Sequence, residues 1–112
     1  MEMPKGNRIV LSTSDKELFE ELLASNIDGI KIVNNYRKYS DELPWALIIQ
    51  LAIGAVTVLA EIIRHHAAKD STKKTTINDH PVPNQVNNIV VLIKQELTIN
   101  TDTSDKSKDK PN

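Results

Sequence analysis

The chain of 112 residues is long enough for one domain and too short for two of ordinary size. Fourteen Lys and Arg stand against fifteen Asp and Glu, so the net charge of −1 supplies no basic surplus for nucleic acid. There is no cysteine, which excludes disulfides, thiolate nucleophiles and cysteine-based zinc sites and points to a cytoplasmic protein.

Residues 1–7 read as a flexible N-terminus, and the stretch ahead of the first acidic cluster lacks the apolar core of a signal peptide. Arg8 to Ser12 form a short apolar run bounded by turn formers, a strand signal. A helix follows at once. Ser14 is placed as its N-cap with Glu17 as capping-box partner, and Leu18, Phe19, Leu22 and Leu23 make its apolar face. Asp28-Gly29 turns the chain into a second strand beginning at Ile30, where Ile30 and Ile32 alternate with Lys31. Strand, helix and strand within some thirty residues predicts a parallel, right-handed βαβ unit.

Trp45 to Ile63 is apolar almost without interruption. Its exceptions, Gln50, Gly54 and Thr57, continue into Glu61 and Arg64 at spacings of three and four, which predicts one polar stripe on a helix. With Pro44 in the first turn and Lys69 at the close, the reading is one long buried helix over about 44–69. Lys73 to Asn78 reads as a third strand, and Asp79-His80-Pro81 as a turn. Val86, Ile89, Val90, Ile93 and Leu97 suit a closing helix, although the β-branched run Ile89–Ile93 also suits a buried strand, and helix is preferred. From Asn100 onward no large apolar residue remains, so 100–112 reads as a disordered polar tail. The prediction is therefore a two-layer α/β (α+β) domain over 8–99 in the order β-α-β-α-β-α, built around that central helix.

Chemistry-bearing patterns are sparse. Glu61 and His65 share a helix face with His66 and His80 nearby, but no second histidine–carboxylate pair supports a metal, and a helix C-terminus explains the group. Ser12, Ser14 and Ser25 read as loop or cap residues, and none of the three glycines lies in a phosphate-binding pattern. Asp41 and Glu42 suit a helix start. Arg37-Lys38 between Tyr36 and Tyr39 reads as a strand end shielding the core edge, with base stacking the alternative use. The expectation is a non-enzyme without cofactor, metal, nucleic acid or evident small-molecule substrate. Gln50, Gly54, Thr57, Glu61 and Arg64 form the candidate interaction stripe.

In its order of elements, RIVLSTSDKELFEELL, GIKIV, the DELPWALIIQLAIGAVTVLAEIIRHH stretch, a KTTIND turn and a closing VNNIVVLIKQEL helix, the chain resembles the effector-associated constant component family over residues 8–97. These are small bacterial α/β modules encoded beside, or fused to, effectors and NTPases of immunity systems. The resemblance includes the small residues Ala52, Gly54, Ala55 and Thr57, and departs where Asn78-Asp79 stands in place of a hairpin glycine. It implies an accessory or adaptor role with a protein partner and carries no catalytic residue over.

Two further readings stay open. A single-pass membrane protein would span the bilayer with about 45–63, Trp45 at one interface and Arg64, Lys69, Lys73 and Lys74 at the other. A stand-alone inhibitor or immunity protein would use the same soluble fold. Oligomeric state is not legible.

Overall fold

The computed structural model describes residues 8–38 and 42–109, with side chains described as far as Leu97. The elements are β1 (Arg8–Thr13), α1 (Lys16–Ala24), β2 (Ile30–Arg37), β3 (Trp45–Leu51), a 3-10 turn (Ile53–Ala55), α2 (Val56–Lys69), β4 (Thr75–Ile77), β5 (His80–Pro81) and α3 (Val86–Asp109). The mixed α/β class holds. The arrangement inside it differs from the expectation in three respects.

The first concerns the apolar middle. Residues 45–51 are a strand, and the helix begins only at Val56. An apolar run of this length suits a strand buried on both faces as well as a helix, so periodicity alone does not separate them. Pairing does: β3 lies between β1 and β2, with Ile9 opposite Ile49, Leu11 opposite Leu47 and Ile30 opposite Leu51. Ala52 then leaves the sheet, donating its N–H to the Gly29 carbonyl at 2.8 Å. The expected helix over 44–69, and a spanning helix over 45–63 with it, is thereby divided. No helix among the described residues is long and apolar enough to cross a membrane.

The second concerns the sheet. Its five strands run in the order β2-β3-β1-β4-β5, and every pairing is antiparallel. β1 and β2 are parallel to each other, as expected of a βαβ unit, but β3 is inserted between them. β3, α2 and β4 form the same figure around β1. These two interlocked split units are the ferredoxin-like arrangement, here extended by β5 and α3.

The third concerns the ends of elements. Asp15, not Ser14, caps α1, its Oδ1 accepting from the N–H groups of Glu17 (3.0 Å) and Leu18 (3.2 Å). Ser14 instead ties to Lys74, accepting its N–H at Oγ (2.9 Å). The hairpin turns at Asn78-Asp79, so His80-Pro81 is strand. The closing segment is helical as preferred, and α3 continues to Asp109, through residues read as a disordered tail. No glycine or proline interrupts that stretch before Pro111.

The helices lie on one face of the sheet. Ile9, Leu11, Leu47, Ile49, Leu51 and Ile77 from the strands meet Leu18 and Leu22 of α1, Val56, Leu59 and Ile63 of α2, and Ile89, Ile93 and Leu97 of α3. Each fully buried side chain of this size contributes roughly 1.5–3 kcal/mol. α3 joins through an i, i+4, i+8 stripe, which explains its helical form despite its β-branched residues. By register, the other face of the sheet carries Arg8, Lys31 and Gln50 in one row, Val10, Asn34 and Ile48 in the next, and Ser12, Tyr36 and Ala46 in the third.

Candidate functional site

The stripe of Gln50, Gly54, Thr57, Glu61 and Arg64 is not one surface. Gln50 is a half-buried residue of β3 on the face away from the helices, opposite Arg8 and Lys31. Gly54 is exposed in the 3-10 turn, and Thr57, Glu61 and Arg64 follow on α2, the first two exposed. The helical spacing of these residues is real but crosses a strand–helix boundary at Ala52–Ala55.

The basic–aromatic cluster lies at the end of β2. The Arg37 guanidinium stands 4.9 Å from the centre of the Trp45 ring, which also meets Phe19 at 5.0 Å. Lys38 donates from Nζ to Ser12 Oγ at 3.3 Å, across the open face of the sheet. Tyr39 lies outside the described residues. These contacts account for the cluster as the closure of the core edge.

β2 itself is an edge strand. Among the described residues nothing pairs with its outer side. The register shifts between Ile32 and Asn34, so that Val33 is a bulge and Asn34–Arg37 is a separate ladder segment. Lys38 N–H points inward, to the Pro44 carbonyl at 2.7 Å. Alternation along the strand then turns the N–H groups of Asn35 and Arg37 outward. Asn35 donates its N–H to Oδ1 of its own neighbour Asn34, at 2.9 Å, in place of a strand partner. Val33 and Tyr36 beside it are exposed.

A second constellation stands where the beginning of α1 meets the end of α2. The buried stripe of α2 runs Val56, Leu59, Ala60, Ile63 and then His66. His66 is therefore carried into the interior, only 5% exposed, while its neighbour His65 faces solvent. Its Nε2 hydrogen-bonds Oε1 of Glu21 on α1. A carboxylate only accepts, so Nε2 carries the proton there. Nδ1 faces Oδ2 of Asp15 at 3.5 Å and has no hydrogen-bond partner among the described residues. Asp15 is itself 6% exposed. Glu17 and Lys69 pair above this group at 3.4 Å. A cleft of about 400 Å³ opens there, lined by Lys16, Glu17, His66, Lys69, Asp70 and Lys73.

The remaining expected residues are dispersed. His80 belongs to β5 and lies 3.4 Å from Glu96 of α3, so it shares nothing with His65 or Glu61. Ser25 bonds the Leu22 carbonyl at the end of α1 (2.8 Å), as a cap residue should. The histidine–carboxylate group escaped the sequence reading because its members come from separate elements. One signal was present: three positions beyond Ile63, His66 continues the apolar face of α2.

No family model matches the chain, and neither a curated protein nor a solved structure matches it.

Proposed function

We propose that the protein is a non-catalytic interaction module that binds a protein partner through the outer edge of β2. One observation carries this reading: the Asn35 N–H on an open sheet edge is satisfied by nothing more than the side chain next to it. Exposed strand edges are templates for pairing with a further strand. A partner strand laid along Asn34–Arg37 would exchange that local bond for a ladder and cover Val33 and Tyr36. The bulge at Val33 limits the edge to this short segment and so opposes indiscriminate pairing.

In this reading the partner is of the class that the resemblance to effector-associated constant components implies, an effector or NTPase of a bacterial immunity system, and the module acts as a cytoplasmic adaptor. A photo-crosslinking amino acid at Tyr36, compared with one at Val91 of α3, which is also exposed, tests the edge in the native host. The expected result is a discrete adduct from position 36 alone, lost in Asn35→Pro. Proline is tolerated on an edge where the N–H faces outward, so that variant should keep its circular dichroism. Adducts from position 91 alone, or adducts unaffected by the proline, reject the reading.

A further inference from the structure

We propose that Asp15, Glu17 and His66 hold a divalent transition-metal ion of the zinc class. One ligand atom from each of the three side chains lies within 4.8 Å of the others. Carboxylates near a helix N-terminus are common without any metal, and the histidine is what sets this group apart. Its imidazole is more than nine-tenths buried, and Nδ1 is unpartnered and directed at the Asp15 carboxylate.

With Nε2 donating to Glu21, Nδ1 is the ring atom left to face Oδ2 of Asp15. A nitrogen and a carboxylate oxygen set face to face in the interior need either a proton or a metal ion between them. Their 3.5 Å separation is long for a hydrogen bond. It matches the edge of a tetrahedron around zinc, about 3.3–3.6 Å for bonds of 2.0–2.2 Å. Glu21 then occupies the position of the carboxylate that orients a metal-bound histidine through its second nitrogen. Asp15 serves with Oδ2 alone, because Oδ1 is committed to the α1 cap.

Glu17 completes the set from the surface. Its side chain is 72% exposed and pairs with Lys69, itself 53% exposed, so that ion pair is worth little and yields readily to a metal. Three protein ligands leave the fourth position toward the cleft. The ion would fasten the start of α1 to the end of α2, a junction independent of the β2 edge.

The test is calorimetric titration of the full chain with zinc chloride, repeated with cobalt(II) to read the visible spectrum of the bound ion. One saturable site is expected. Asp15→Asn keeps a side-chain cap on α1 but removes a ligand, and it should weaken binding at least tenfold. Glu17→Gln, on an exposed residue that leaves the fold intact, should do the same. Glu21→Gln should cost about 10–100-fold through the orientation of His66. His65→Gln and His80→Gln should change nothing. Absence of saturable binding by the native chain overturns the proposal. So does affinity that follows His65 or His80, or affinity indifferent to Glu17→Gln.

Discussion

Gly29 approaches Ala55 so closely that it has no room for a Cβ. A Cβ placed on Gly29 would stand 2.8 Å from the Cβ of Ala55 and 3.3 Å from that of Ala52, and Gly29 has φ of +89°. The contact pins the start of β2 against the turn that follows β3. Gly29→Ala combines left-handed strain with overlap and should destabilise by about 2–4 kcal/mol. Gly54, in the same turn, has open space around it and no positive φ. Gly54→Ala should be neutral or stabilise by up to about 1 kcal/mol, since it restricts the unfolded chain. Denaturant unfolding of both variants reads the contrast, and equal costs would displace the turn from where it is drawn.

Asn78 joins three elements. Its Oδ1 accepts the Val10 N–H at 2.8 Å, and its Nδ2 donates to Oε1 of Glu96 at 2.9 Å. Its own N–H reaches the Val10 carbonyl, also at 2.8 Å. With φ of 51° at Asn78 and 71° at Asp79, the β4–β5 connection has the left-handed form that two-residue hairpins favour. Asn78→Ala strips a donor from the buried Glu96 carboxylate and should cost about 2–3 kcal/mol. Asp79→Gly relieves a positive φ and should stabilise by about 0.5–1 kcal/mol. Thermal melts of the two variants should move in opposite directions.

How far residues speak for their own structure is clearest in β3. Leu18 and Leu22, or Ile89, Ile93 and Leu97, declare a helix because each buries one stripe and wets the rest. Ile30 and Ile32 declare a strand in the same way. Trp45–Leu51 does not betray its period, because the positions that face away from the helices include the apolar Ala46 and Ile48, and only Gln50 on that side is polar. Its identity depends on partners many positions away. The order of the sheet was illegible for the same reason: a βαβ unit looks alike in sequence whether or not a third strand enters it. Asp15 and Glu21 are brought beside His66 only by that topology.

Alternation along β3 is itself open to measurement. Leu47 and Ile49 point into the core and are fully buried, whereas Ile48 between them faces the open side, half-buried beside Val10 and Asn34. Leu47→Ala and Ile49→Ala should each cost about 2–5 kcal/mol. Ile48→Thr, which keeps a β-branched side chain, should cost less than about 1.5 kcal/mol. A helix through these residues would bury 48 and 49 to similar depth, and three comparable losses would favour it over the strand.

Acid should loosen the end of α2 through Asp70. This residue caps the helix, giving its N–H to the His66 carbonyl at 3.2 Å. Its carboxylate accepts from the Thr72 hydroxyl and from the Thr72 N–H, and Lys73 is close by. These bonds, the hydroxyl foremost, hold the Asp70 pKa below the usual aspartate range in the folded state. A carboxylate lowered on folding stabilises the native state above the pH at which it titrates when unfolded. That contribution disappears as pH falls through the folded value. Asp70 is fully exposed, so the effect is local, a fraying of the turn at Asp70–Lys73 and not a loss of the domain. Carboxyl NMR should find Asp70 titrating below the ordinary aspartate range. Thr72→Ala removes the hydroxyl but keeps the N–H, and should carry the midpoint part of the way back. A midpoint unmoved by that change would place the cause of the depression elsewhere than in this turn.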